Sequence, residues 1–326
     1  MRLDEKLAKI RAGHYTRSDF VIADAKDPDM GPGLHAIGPL RLDDGTSTRL
    51  RTREEFLEQI EQVIQQDIVD IMLTSLSNLE QLTRRGAFRG SEVKPAIRAN
   101  DTTDIWRHRG ATYHNQPSRP FRTASLERAK AFTDLGLYSI TFNNDLEWDW
   151  LSLEAFAEFR EDAAANEFSY FLEVFNPNAG SLSDEDMPRF VNDAIVRALA
   201  GLTEVERPTF LKIAYNGARA LDELASFDPS LIVGVLGGGA GTTRDCFELI
   251  HQAEKYGARV ALFGRKINLA ESPADIVFFM RAVANGDLTP AEAVVAYHDA
   301  LVTKRIVPHR PLDADHAITE AALKMG

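Results

Sequence analysis

Phe210-Leu211-Lys212-Ile213-Ala214-Tyr215-Asn216-Gly217 is a short apolar run with one lysine inside it, closed by a loop. It reads as a strand over about Thr209 to Tyr215, buried on both faces. An unpaired ammonium in such a strand is costly, so Lys212 needs a partner or a chemical task. Desolvation favours the neutral amine, and a neutral amine is a nucleophile toward carbonyl compounds. The plainer alternative is a strand-end lysine whose amine reaches water or a carboxylate.

Outward from this run the chain repeats one unit. Continuous apolar strands fall at about 19–24, 68–73, 93–99, 137–142, 168–175, 209–215, 231–236 and 259–263. Between them lie helical patterns, such as Arg53 to Gln66 with Phe56, Leu57, Ile60, Val63 and Ile64 on one face. A helix is also read over Ser125 to Leu135, stopped by Gly136, and a last one around Ala317 to Lys324. Eight β-strand–helix units favour a closed (β/α)8 TIM barrel over an open doubly wound sheet. A dinucleotide-binding sheet would want Gly-x-Gly-x-x-Gly after its first strand, whereas the first strand here runs into acids. The expected architecture is therefore α/β, one barrel domain over residues 1–326. Its core spans about 18–285, with a short N-terminal helix and a C-terminal helical extension over 286–326.

The chain has 326 residues and a formal net charge of -12, which argues against nucleic acid or an anionic membrane as a partner. A small basic pocket for an anionic metabolite stays compatible with it. Cys246 is the only cysteine, so neither an intrachain disulfide nor a cysteine zinc site is available. The N-terminus lacks the apolar run of a signal peptide, and no segment has the length and apolarity of a membrane span. A cytoplasmic location is expected. The histidines show no metal-site spacing, and neither metal nor cofactor is expected. The acidic surface and C-terminal helices suit a homo-oligomer.

In a barrel the reacting groups sit at the C-terminal strand ends. Those ends carry Asp24 and Lys26 on the first strand, Arg98 on the third, Asn144 and Asp145 on the fourth, and Glu173 on the fifth. Lys212 is on the sixth, Gly237-Gly238-Gly239 follows the seventh, and Gly264-Arg265 the eighth. By alternation Phe210 and Lys212 share a face, as do Phe171 and Glu173, and Phe20, Ile22 and Asp24. If these faces point inward, carboxylates from two strands approach one amine. Such a set suits carbinolamine chemistry, with Lys212 the nucleophile and Glu173 or Asp24 moving protons. The alternatives are an ordinary ion pair for Glu173 and a cap or ion pair for Asp24. Gly238, Gly239, Gly264 and Arg265 suit an anion cradle, since backbone N–H groups and a guanidinium fork both bind phosphate. A tight glycine turn is the alternative. Thr242 and Thr243, opening the next helix, either cap it or touch the anion. Arg98 and Lys26 are further candidate contacts to an anionic substrate. The insert over 100–122 holds Arg107, His108, Arg109, His114, Arg119 and Arg122, and reads as a lid, a subunit contact or a solvated loop.

The order Ile22-Ala23-Asp24-Ala25-Lys26-Asp27, Phe171-Leu172-Glu173, Phe210-Leu211-Lys212, Gly237-Gly238-Gly239 and Phe263-Gly264-Arg265 resembles the class I aldolases of the barrel fold. It is most similar to the tagatose-bisphosphate and sulfofructose-phosphate aldolases and the archaeal-type fructose-bisphosphate aldolases. The resemblance implies a Schiff base on Lys212, a proton shuttle at Glu173, and Asp24 as the first-strand acid. It also implies phosphate held by Gly238, Gly239, Gly264 and Arg265. Phe175 stands where the archaeal type has its tyrosine, so the chain follows the glutamate pattern. Departures are Asp24-Ala25-Lys26-Asp27 after strand one, the long insert, and Asn143-Asn144 without a lysine after strand four. The expected activity is metal-independent cleavage or formation of a C–C bond in a phosphorylated sugar. A transferase on the same scaffold and a non-catalytic barrel that binds an anionic metabolite are the competing expectations.

Overall fold

The computed structural model describes residues 1–180, 182–239 and 241–325. Eight parallel strands close into a barrel: β1 Val21–Lys26, β2 Ile71–Thr74, β3 Lys94–Arg98, β4 Leu135–Thr141, β5 Ser169–Phe175, β6 Leu211–Ile213, β7 Gly234–Leu236 and β8 Val260–Phe263. Each pairs with its sequence neighbours, and β1 closes the ring on β8 through Val21↔Val260 to Asp24↔Phe263. No helix among the described residues is long and apolar enough to cross a membrane.

Alternation sorts each strand into two apolar sets. Phe20, Ile22, Met72, Ile97, Leu172, Val235 and Phe263 pack outward into the core shared with the helices. Val21, Ala23, Ala25, Leu73, Ala96, Phe171, Phe210 and Leu262 fill the barrel interior. Phe171 and Phe210 stack there, ring centroids 4.6 Å apart and 17° between planes. They form an apolar layer one alternation step below Glu173 and Lys212.

The helix Arg2–Arg11 stoppers the N-terminal end of the barrel with Leu3, Leu7 and Ile10. It is pinned by Asp70, fully buried, which takes Arg2 Nε at 2.9 Å, Lys6 Nζ at 2.8 Å and Arg281 Nη2 at 2.8 Å. Burial pulls the Lys6 ammonium down to about 8 against the attraction of Asp70.

Several expected boundaries move. The helix read over 125–135 covers only Leu126–Ala129. Thr133 lies between this helix and β4, its hydroxyl donating to Pro95 O at 2.6 Å and accepting from Leu135 N at 3.2 Å, and β4 begins at Leu135. Gly136, read as the helix stop, lies inside β4, where a Cβ would stand 2.8 Å from Phe168. The loop over 25–50 contains an antiparallel hairpin, Pro39–Arg41 with Ser47–Leu50. The C-terminal segment forms one short helix, Leu312–Asp315, and a 3-10 turn, Ala321–Met325, in place of the single helix expected. This segment folds back on the barrel mouth. Asp315 accepts from Thr243 N at 2.8 Å, and Asp245 accepts from Thr319 N at 2.7 Å.

Candidate active site

Register brings the site together. In the parallel ladder Lys212 is level with Glu173, and Glu173 with Ser139. Side chains level on adjacent parallel strands point the same way, here above the Phe171–Phe210 layer. Lys212 Nζ is 2.6 Å from Glu173 Oε1, with the two side chains 8% and 3% exposed. The other carboxylate oxygen accepts from Ser139 Oγ at 2.6 Å and from Arg98 Nη2 at 3.4 Å. Lys212 and Glu173 therefore face one pocket, which settles inward the face that alternation in β5 and β6 had left open.

That pocket is a cavity of about 710 Å³ at the C-terminal strand ends. Its wall includes Ala25, Asp27, Arg98, Phe175, Gly238 and Arg265. Gly237 and Gly264 let the backbone close in: a Cβ on the first would meet Phe263 at 2.5 Å, and on the second Ala25 O at 2.9 Å. Arg265 donates to Gly238 O at 2.7 Å, which ties the β7 and β8 loops together. Burial and the nearby Arg107 guanidinium hold Arg265 below its ordinary range, with Glu320 opposing them. Gly238 sits at φ +59°, a left-handed conformation suited to glycine. Gly239 lines a smaller adjoining cavity of about 160 Å³, closed by Glu320 and Leu323 of the C-terminal segment. Thr242 caps its helix, accepting from Asp245 N, and Thr243 N is taken by Asp315, so both threonines serve the helix end.

Two candidate assignments are corrected, and a third candidate is engaged by protein groups. Asp24 and Lys26 lie on the outward face of β1 with Phe20 and Ile22, because Val21, Ala23 and Ala25 occupy the inward face. They pair with each other at 3.5 Å, fully buried, and line neither cavity. Burial pushes the Asp24 carboxyl up to about 6 against the pull of Lys26, and burial lowers the Lys26 ammonium. The acid that β1 presents to the cavity is Asp27, three residues on. Arg98 does face the interior, in phase with Ala96, but its guanidinium is engaged by protein. Nη1 is 2.7 Å from Asp27 Oδ2, and Nη2 is 2.9 Å from Ser139 Oγ. Ser139 had no signal in the sequence beyond standing in phase with the other inward positions of β4.

The insert is seated on the barrel mouth. A short ladder pairs Asp101–Thr102 with Pro120–Phe121, and Trp106 packs edge-on against Phe121 at 4.6 Å. Asp104 accepts from Ser118 and from Thr141 of β4. Of its basic residues, Arg107 and His114 line the large cavity. Arg119 stacks over Trp148 and Arg122 pairs with Asp162, so these two serve structure. Asn143, where a lysine was missing, accepts from Asn178 N and Ala179 N and braces the loop after β5.

No family model matches the sequence, and no curated protein is similar to it in sequence. Solved structures share its fold. An archaeal fructose 1,6-bisphosphate aldolase superposes with a TM-score of 0.63 at 18% identity, over 87% of this chain and 99% of that one. A Schiff-base-forming fructose-1,6-bisphosphate aldolase gives 0.62 at 19%, over 86% and 98%. A protein from Corynebacterium glutamicum (Brevibacterium flavum) gives 0.59 at 19%, over 88% and 98%. At such identities the likeness is one of fold, the (β/α)8 barrel.

Proposed function

We propose that the chain is a class I, metal-independent aldolase that cleaves or forms a C–C bond of a phosphorylated ketose through a Schiff base on Lys212. The observation that carries the reading is the 2.6 Å contact between Lys212 Nζ and Glu173 Oε1 at the floor of a large cavity. It fits the nucleophile-and-base pairing that covalent catalysis requires.

The chemistry follows from the contact. Glu173 Oε1 takes a proton from Lys212 Nζ, and the freed amine adds to the ketone carbon. The carbonyl oxygen takes that proton back from Glu173, which gives a carbinolamine. A second proton from Nζ passes through Glu173 to the hydroxyl, which leaves as water and yields the iminium. The iminium then accepts the electron pair of the breaking C–C bond while a base removes the proton of the adjacent hydroxyl. Asp27, on the cavity wall, is within the set of groups able to serve there. Gly238, Gly264 and Arg265 suit the phosphate, through backbone N–H groups and the guanidinium, and Gly239, on the adjoining cavity, extends that loop.

Borohydride reduction in the presence of dihydroxyacetone phosphate, fructose 1,6-bisphosphate or tagatose 1,6-bisphosphate should leave a mass adduct on the Lys212 peptide. Lys212→Met should abolish adduct and turnover. Phosphate-ester binding that survives Lys212→Met, with no turnover by the wild type, would favour a non-catalytic barrel. A product that joins two carbonyl substrates with group transfer would favour a transferase.

A further inference from the structure

We infer that Arg98 is a positioning residue for Glu173, and that Asp27 anchors Arg98 in that role. The inference builds on the Lys212–Glu173 pair, and concerns a side chain whose sequence position suggested substrate binding instead.

Arg98 is 5% exposed at the inner end of β3. Its Nη1 is held by Asp27 at 2.7 Å. Its Nη2 reaches Ser139 Oγ at 2.9 Å and Glu173 Oε2 at 3.4 Å. Ser139 Oγ accepts from Arg98 and donates to Glu173 Oε2 at 2.6 Å, so the hydroxyl bridges the two. The Oε2 end of the carboxylate is thus fixed by two donors, which aims Oε1 at Lys212. The fork of Arg98 is taken up by protein groups. Here only Nε lacks a hydrogen-bond partner among the described residues, and Asp101 Oδ1 stands 3.8 Å from it.

The charge matters as much as the geometry. Arg98 stays protonated at any working pH. Burial works against its charge, yet Asp27 and Glu173 together hold it above its ordinary range. Glu173 therefore shares its negative charge between two cations. Without Arg98 the whole carboxylate charge would act on Lys212. A lysine in place of Arg98 would keep the charge and lose the fork that spans Asp27, Ser139 and Glu173.

The charged groups facing the pair come from every surrounding loop. Asp27 follows β1, and Asp101 lies 3.8 Å from Arg98. Asp104, Arg107 and His114 come from the insert, His35 from the loop after β1, and Arg265 from the end of β8. All are retained in the variants proposed, so a change reports Arg98 and its bridge.

Reductive methylation with formaldehyde and cyanoborohydride needs no sugar substrate, and peptide mass spectrometry reads Lys212 alone. In full-length Arg98→Gln, Lys212 methylation at neutral pH should be slower than wild type by about tenfold, the scale of one unit charge nearby in a partly screened site. Raising the pH should restore the rate, which a merely structural defect would not do. Ser139→Ala, a small change that keeps the Arg98 charge, should slow it by about twofold to threefold. Equal rates in the wild type and both variants across the pH series would overturn the inference, and if Arg98→Gln fails to fold, Ser139→Ala decides it. Because the assay lacks substrate, a missing ketose adduct and a missing Arg98 effect are separate failures.

Discussion

Lys212 and Glu173 lie on the inward face of their strands because Phe210 and Phe171, two residues earlier, are the floor beneath them. Burying a charge above this floor is expensive unless it is paired, and each of the two supplies the other's partner. Asp24 shows how a carboxylate is put to a different use elsewhere in the barrel. It faces the helices, and its counter-charge is Lys26. Asp24→Asn should therefore leave adduct formation at Lys212 within about twofold of wild type. It should cost stability, about 3 kcal/mol, since it leaves a buried ammonium without its carboxylate. Borohydride trapping and urea unfolding of one preparation check both parts. A trapping loss of a hundredfold in a fully folded variant would return Asp24 to the active site.

At the scale of elements, the site depends on a stopper at the opposite end. The helix Arg2–Arg11 carries its apolar side chains on one stripe, and Leu3, Leu7 and Ile10 complete the interior core that Val21, Phe210 and Val260 begin. Leu7→Ala should destabilise by about 2–5 kcal/mol, the range for truncating a fully buried leucine. Chemical unfolding measures this, and a loss under about 0.5 kcal/mol, the scale of a surface substitution, would mean the helix is not integral. The strand-end loops differ in how they are held. Gly264 leaves no room for a Cβ beside Ala25 O, and Arg265 clasps the Gly238 carbonyl. The insert is fastened by Asp104 to β4 and by Asn178, whose amide donates to His114 O and Gln116 O. This fastening is what brings Arg107 and His114, out of six basic residues, to the cavity.

For the whole molecule the clearest global consequence is the pH dependence of stability. Burial pushes Asp101 up to about 6, with Asp27 and Asp29 adding repulsion against the pull of Arg98. Asp24 is also raised to about 6. Between the ordinary aspartate range and about 6, the unfolded chain has released these protons and the folded chain has kept them. The folded state binds more protons, so stability should fall as pH rises through that window. Asp101→Asn should flatten this part of the profile, as measured by urea unfolding over a pH series. A profile as steep as wild type would show that Asp101 does not titrate there.

Order along the chain determined the architecture: eight doubly buried apolar runs separated by helical periodicity leave few ways to bury the runs other than a closed barrel. It also placed Lys212 and Glu173 together, since a lone charge in an apolar run marks its own position. What it left open was phase. In β1 both faces are apolar, so period-two alternation says which residues share a face without saying which face is inside. Read from sequence, Asp24 is the first-strand acid and Asp27 is passed over, until the ladder sets Val21, Ala23 and Ala25 inward. Arg98 was open for a related reason. Its direction was legible, but its partners Asp27, Ser139 and Glu173 come from three other strand ends, up to 75 positions away. Only closure of the barrel brings them into one pocket, and it is closure that turns a basic strand end into a support for the carboxylate beside Lys212.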